Sequence, residues 1–345
     1  MFSSGIFSSL PVALAIFLVS LMIVIATSSR FTRKLEELCE AFNLSIGVLS
    51  LLSALGANVP NYVSSAIAIF SGHIDIGIGI IVGSNIYNIA IILGLCSILT
   101  PERSGMTLDV REKRDVGVIA WYALAIIFFA FVVVCWLPGG PLITSLHASG
   151  ISHALLLLSS ILALGVFSAL VVHILRRTHG GEGTTLHHHD LKRKAPLSVL
   201  RLSSEVMFTL VIALGGVLVM IQSGQTLTTD LHMPSILAGL LVLAVATSLP
   251  NTVVAVSLVR TGEAAACIEE VYSSGSINAA LGIVLPLLFW QGMLNDRFLL
   301  LLDAPLTLAL ILYALIFVLR GRLSRGMGVL LLATYVAWVL VRFWI

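Results

Sequence analysis

The sequence predicts an all-α membrane protein in which about ten transmembrane helices form two inverted five-helix repeats. Three observations lead there. The composition suits lipid: of 345 residues, 58% are hydrophobic and 10% charged, whereas soluble domains carry about 25% charged residues. Apolar runs of spanning length recur from one end of the chain to the other. One polar, proline-containing stretch occurs twice at a fixed offset.

A bilayer-spanning helix needs about 20 mostly apolar residues. Candidate spans fall at roughly 8–28, 43–71, 75–99, 115–137, 151–175, 200–223, 234–259, 264–290, 298–320 and 326–344. The first resembles a signal peptide, but no Lys or Arg precedes its apolar run, Leu10 to Thr27, so it reads as a retained helix. Basic residues alternate between connections. Arg30, Arg33 and Lys34 follow span one, and Arg103, Arg111, Lys113 and Arg114 follow span three. Arg176, Arg177, Lys192, Arg193 and Lys194 follow span five, Arg260 follows span seven, and Arg320, Arg322 and Arg325 follow span nine. Of the even connections only one holds a basic residue, Arg297. Cytoplasmic loops are the basic ones, so both termini are expected outside, in a cell (inner or plasma) membrane.

Because five is odd, the second half enters the membrane with opposite orientation, an architecture shared by many secondary transporters. The expected division is a first repeat over 1–178, a basic cytoplasmic linker over 179–197 and a second repeat over 198–345. The linker's His187, His188 and His189 read as solvated residues, since no cysteine accompanies them. Residues 31–42 place Phe31, Leu35, Leu38 and Phe42 at helical spacing among charges and predict a short interfacial helix. Trp290, Trp338, Phe343 and Trp344 lie near span ends and fit an aromatic belt. Cys39, Cys96, Cys135 and Cys267 lack metal-ligand spacing and read as small apolar fillers. A net charge of +2 gives no support to a nucleic-acid partner. The expected partners are the lipid bilayer and small inorganic cations; protein partners are not legible.

The repeated stretch carries the chemistry. Residues 53–61 (SALGANVPN) continue to 83–88 (GSNIYN), and residues 243–251 (LAVATSLPN) continue to 273–278 (SSGSIN). A shift of 190 places Pro60 on Pro250, Asn61 on Asn251, Gly72 on Gly262, Ser84 on Ser274 and Asn88 on Asn278. Proline removes a backbone donor and frees a carbonyl, which in lipid must be satisfied by protein, water or an ion. Ser53, Asn58 and Asn61 surround the first proline, and Thr247, Ser248 and Asn251 the second. All offer neutral oxygens of the kind that bind hard cations. Ser84 with Asn88, and Ser274 with Asn278, are four apart and so share a helix face.

Glu270 extends the second stripe by one turn; Ile80 stands at its place in the first half. A carboxylate at the bilayer centre costs ~2.5–3.5 kcal/mol on insertion scales and is a functional candidate. Glu269 is the weaker alternative. The candidate cation ligands are therefore Asn58, Asn61, Ser84, Asn88, Thr247, Ser248, Asn251, Glu270, Ser274 and Asn278. Gly56, Gly72, Gly79, Gly83 and Gly94 read as close-packing positions. His73, Asp75, Arg260 and Glu263 read as a solvated rim, and Glu205 as the ion-pair partner of Arg201. There is no Ser/His/Asp set, zinc motif or phosphate-binding glycine loop, so enzyme chemistry is not expected.

At these residues the chain resembles the calcium/cation antiporter superfamily, which includes the sodium/calcium exchangers. Each half of those proteins carries a motif like G-T-S-x-P-E followed by G-S-N-I-x-N/D. Residues 83–88 match the second part, and residues 246–251 (ATSLPN) match the first except at the last position. The resemblance implies a sodium/calcium exchanger-like fold. It implies a secondary active antiporter moving Ca2+ or another cation against Na+ or H+ by alternating access, with spans one and six as the moving pair. It implies no resident cofactor, only transported Na+ and Ca2+ as ligands. The departure lies after each proline, where the family has an acid and this chain has Asn61 and Asn251. The first half also has Ala57 and Asn58 in place of Thr and Ser. Two alternatives stay open: the same fold carrying a monovalent cation or other small solute, and a membrane protein that keeps the scaffold without transporting.

Overall fold

The computed structural model describes residues 10–41, 54–138, 149–179, 196–230 and 235–345. Ser53, Gly56's surroundings at 42–53, and the histidine run 187–189 fall at or within stretches outside that description. Among the described residues, nine helices are long and apolar enough to cross a membrane. In chain order they are α1 (Leu10–Ala41), α3 (Ile74–Leu99), α4 (Val110–Cys135), α5 (Ser149–His179), α6 (Pro196–Asp230), α7 (Ala238–Arg260), α8 (Ala264–Phe289), α9 (Leu299–Arg320) and α10 (Arg325–Trp344). The second expected span is represented by a shorter helix, α2 (Val59–Phe70).

α3 and α8 form the centre. The apolar window of α3 is 94% buried and that of α8 is 78% buried, against 22% for α1 and for α10. This follows from the sequence: residues 76–84 of α3 are apolar or small all round, as a helix enclosed on every side must be. Small residues let the two halves meet closely. A Cβ on Gly83 would stand 2.2 Å from the Leu240 carbonyl oxygen, and one on Gly239 would stand 2.4 Å from that of Ile76. α3 and α7 therefore touch backbone to backbone, as expected of small residues between membrane helices.

The inverted repeat is visible in matching turns. α2 leads into α3 through Gly72 (φ +85), and α7 leads into α8 through Gly262 (φ +90). The amide of His73 donates to Ala68 and that of Glu263 to Leu258, both at 2.9 Å. Nothing lies within 4 Å of a Cβ built on Gly72. Its role is thus the left-handed turn, which corrects the packing role expected for it.

Two basic loops share one face. β1 (Met106–Thr107) pairs antiparallel with β2 (Arg322–Leu323), and Arg325 donates to the Thr100 carbonyl at 3.2 Å. This brings the connections after spans three and nine together. α4 starts beside them with a capping box: Glu112 N–H donates to Asp109 Oδ1 and Asp109 N–H to Glu112 Oε2, both at 2.8 Å. At the other end of α3, Asp75 is only 8% exposed. It accepts from the Asn295 backbone at 3.1 Å and side chain at 2.9 Å, so it is a buried tie and not part of a solvated rim. His73, Arg260 and Glu263 are exposed as expected.

Three further expectations are corrected. The segment from Phe31 to Ala41 is not a separate interfacial helix; it continues α1 without a break, because its apolar positions follow the same helical period. α1 packs along α6. Lys34 lies 3.0 Å from Glu37 and 3.2 Å from Glu205, which also meets Arg201 at 3.0 Å. The hydrogen bonds from Glu37 and then Glu205 raise the Lys34 pKa above its ordinary value. Trp338 is not part of a belt: it is 3% exposed and donates its indole N–H to Asp303 at 2.8 Å, while Trp290, Phe343 and Trp344 are exposed. Finally, Pro250 stays inside a continuous α-helical segment, Ala244–Arg260. Only the first half shows the expected break, a turn at Asn58 with Pro60 in the opening turn of α2. Proline fits a first turn because its missing N–H has no helical acceptor there.

Candidate cation site

Ser84 and Ser274 lie roughly ten residues into α3 and α8. At 1.5 Å per residue this is about 15 Å along the helix, half of a ~30 Å hydrocarbon layer. Here the repeated stretches meet. The Ser84 and Ser248 hydroxyls are 2.7 Å apart. Their repeat counterparts, Ser274 and Asn58, form the equivalent contact, with the Ser274 hydroxyl donating to Asn58 Oδ1. The Asn88 amide donates to Ser274 at 3.1 Å and the Asn278 amide to Ser84 at 3.4 Å. Each of these pairs maps onto the other through the offset of 190, so the site has approximate two-fold symmetry. Asn251 donates to Asn58 Oδ1 at 2.8 Å and to Ser274 at 2.9 Å, and Asn61 donates to Asn58 Oδ1 at 3.4 Å.

Local structure aims these groups. The α-helical part of α3 ends at Tyr87, and π-helical turns run over Asn88–Leu93; in α8 the same change occurs at Asn278–Val284. Each π segment begins on a site asparagine. Such wide turns interrupt the regular backbone ladder and recur at functional positions. The hydroxyl of Ser65 in α2 lies 2.7 Å from the Gly77 carbonyl of α3 and 2.6 Å from the Gly282 carbonyl of α8, tying α2 to both.

Eight of the ten expected ligands thus meet in two adjoining hydrogen-bonded sets, Asn58, Asn61, Asn88, Asn251 and Ser274 in one and Ser84, Ser248 and Asn278 in the other, and none of the eight is more than 1% exposed. The Thr247 hydroxyl instead bonds its own helix, at 2.8 Å from the Leu243 carbonyl. Glu270 stays outside both sets; its Oε1 is buried without a hydrogen-bond partner. Asn58 accepts through its Oδ1, but the other four asparagines use their amide N–H groups and not their oxygens. Oδ1 of Asn61, Asn88, Asn251 and Asn278 is in every case buried and without a partner. Leaving such an acceptor unsatisfied costs about 1–3 kcal/mol, and four occur in two repeat-related pairs. Hard cations take oxygen ligands of this kind. Among the described residues, no group of three or more His, Cys, Asp or Glu is placed to hold a metal ion.

The sequence reading missed two features. Asn85 is 2% exposed with a partnerless Oδ1. A Cβ on Gly275, its repeat counterpart, would lie 3.4 Å from that oxygen. The signal was present: the order Gly-Ser-Asn at 83–85 becomes Ser-Ser-Gly at 273–275, so glycine in one half makes room for asparagine in the other. The second feature is the charge cluster where α9 meets α10. Asp303 is fully buried and Arg342 4% exposed. Arg342 pairs with Asp296, and its Nη2 lies 3.5 Å from Asp303 Oδ2. Asp303 and Arg342 are 39 residues apart with no repeat counterpart, so no spacing marked them.

A bundle of inverted repeats that converges buried, partnerless oxygens at half its height defines a membrane transporter for small cations. The sequence matches the family described as sodium/calcium exchanger protein over residues 12–176 and 202–344, and the chain belongs to that family. It is 25% identical over 348 residues to the sodium/calcium exchanger MaX1 of Methanosarcina acetivorans, covering 96% of this chain and 98% of that one. It is 24% identical over 339 residues to the inner membrane protein YrbG of Escherichia coli, covering 96% and 97%. A solved structure of the sodium-calcium exchanger NCX_Mj superposes with a TM-score of 0.60 at 21% identity, covering 96% of this chain and 99% of that chain. That likeness concerns the fold: an all-α exchanger of two repeats.

Proposed function

We propose that the chain is a secondary active cation antiporter that exchanges Ca2+, or another small cation, against Na+ or H+ by alternating access. The observation that carries this reading is the set of four buried, partnerless amide oxygens of Asn61, Asn88, Asn251 and Asn278, supplied in equal number by both repeats. Bound cations offset the cost of leaving them unsatisfied. α1 and α6, which pack along each other at the outside of the bundle, are the elements that slide against the rest.

The neutrality of the ligands favours a second reading within the same fold, a site for monovalent cations. Divalent affinity is tuned by ligand charge count, and none of the eight residues of the two sets bears charge. Na+ on both sides of the exchange, or Na+ against H+, fits such a site. The arginine-rich loops gathered around β1 and β2 support a cytoplasmic assignment for that face, with both termini outside, in a cell membrane. The gap between the two matched segments, 177–201, supports a division into repeats 1–178 and 198–345 joined by a linker at 179–197.

The test is flux in proteoliposomes. An outward Na+ gradient is expected to drive uptake of radiolabelled Ca2+ or of labelled Na+ against a competing cation. Absence of flux for every cation in a panel, with folded protein confirmed, would overturn the antiporter reading.

A further inference from the structure

The site's two-fold symmetry fails at one position, and the failure has a chemical meaning. Position 58 is asparagine, while its repeat counterpart is Ser248. Ser248 meets one site hydroxyl, that of Ser84 at 2.7 Å. Asn58 Oδ1 instead collects three donors: the Asn61 amide at 3.4 Å, the Asn251 amide at 2.8 Å and the Ser274 hydroxyl. Its own amide N–H is anchored on the Ala54 carbonyl at 2.8 Å. The side chain is fully buried. A carbonyl oxygen has two lone pairs, so three donors saturate it. The donors come from α2, α7 and α8, hence from both repeats.

This arrangement determines where a cation can sit. The N–H groups of Asn61 and Asn251 both point at Asn58. An amide that turns its nitrogen to one side presents its oxygen to the other, and both of these oxygens are partnerless. The space around Asn58 Oδ1 is therefore lined by donors, which repel a cation. The partnerless oxygens of Asn61 and Asn251 attract one. A serine at 58, paired with Ser274 as Ser248 is with Ser84, has too short a side chain to hold both amides in this way.

We propose that Asn58 closes the first-repeat half of the site to cations: its side chain occupies that half and draws the donor groups of its neighbours inward, which the shorter Ser248 does not do in the second-repeat half, and so it lowers the number of cations the chain carries. This rests on reading the amide oxygens as cation ligands. It makes Asn58 a determinant of stoichiometry and places the asymmetry between the repeats at a single side chain.

The test is the number of Na+ bound per chain, measured with radiolabelled Na+ by equilibrium binding to purified protein, together with the steepness of Na+ dependence in proteoliposome flux. Asn58→Ser is expected to bind an additional Na+ and to steepen the dependence. Asn58→Ala, which lacks the serine hydroxyl, is expected to gain the same ion more weakly. Ser248→Asn, the mirror change, is expected to lose one. A gain cannot arise from misfolding, so the serine and alanine variants guard the result against a poorly folded mirror variant. Equal Na+ numbers in wild type, Asn58→Ser and Asn58→Ala overturn the proposal, as does a loss of Na+ in the folded Asn58→Ser protein. If wild type binds no cation while Asn58→Ser does, the antiporter reading fails for the natural chain and the occupant role stands. If neither binds, both fail.

Discussion

The site joining α2, α3, α7 and α8 and the cluster joining α9 to α10 are both polar and both buried, yet they are built on different terms. The first holds eight neutral side chains and leaves four of its own amide oxygens without partners. The second holds Asp296 and Asp303 around the one guanidinium of Arg342, with a hydrogen bond from Trp338, although Asp303 Oδ2 and Arg342 Nε lack hydrogen-bond partners. Burying an ion is expensive unless it is paired, and burying an amide acceptor without a donor is a smaller, tolerable loss. Charges that pair among themselves bring elements together. In the site the partnerless acceptors come as two repeat-related pairs, which the charge cluster does not show. The absence of charge at the site is thus compatible with cation binding, while the strongest charges in the second repeat are committed to structure.

This contrast can be broken in several ways. The largest effect is expected from Asn61→Leu combined with Asn251→Leu. It removes two ligands and two of the donors that meet at Asn58, so cation affinity should fall roughly 100-fold, about 1.4 kcal/mol per ligand; initial flux rates at subsaturating Na+ read this directly. Next comes Arg342→Met, which leaves Asp303 buried opposite no cation. The expected cost is about 3–5 kcal/mol of stability, seen as a lowered unfolding midpoint in detergent. The fraction that remains folded should bind Na+ like wild type; a matching loss of affinity would merge the two regions into one.

Glu270 tests the boundary between them, since it is charged by type but its Oε1 has no partner. Glu270→Gln is expected to weaken Ca2+ competition about tenfold through lost through-space attraction while sparing Na+. Unchanged competition would remove Glu270 from the site altogether. The smallest effect is expected from Lys34→Met, because its ion pairs with Glu37 and Glu205 are partly exposed and such pairs contribute little. The raised Lys34 pKa means its stabilisation is complete below the ordinary lysine value of 10.5 and is lost only as pH climbs through the higher folded value. A melting curve should therefore show no contribution from Lys34 to pH dependence between neutrality and pH 9.

Much of this was legible in the sequence because lipid restricts the options. Unpaired backbone is excluded from the hydrocarbon, so apolar run length alone located the helices, and the constant offset of 190 located the meeting point of the repeats. Asn61, Asn88, Asn251 and Asn278 stood out since a polar side chain inside a span needs a reason. What could not be read was set by three-dimensional contact. Thr247 lies in the right motif, yet its hydroxyl turns back onto Leu243, a local choice open to any helical threonine. Pro250 signalled a break that the surrounding helices absorb. Asp75 looked like a rim residue until Asn295, 220 positions away, supplied both of its hydrogen bonds. The Asp303–Arg342 pair has no periodicity that could announce it.

In the proposed site, buried amide oxygens and not carboxylates bind the transported cation. Equilibrium binding of radiolabelled Na+ to purified wild type, Asn61→Leu/Asn251→Leu and Asn61→Glu/Asn251→Glu, with Ca2+ as competitor, tests this most directly. Saturable Na+ binding is expected in wild type. It should weaken roughly 100-fold in the leucine pair, and the glutamate pair should show sharply tighter Ca2+ competition. Undiminished Na+ binding in the folded leucine pair would contradict the account.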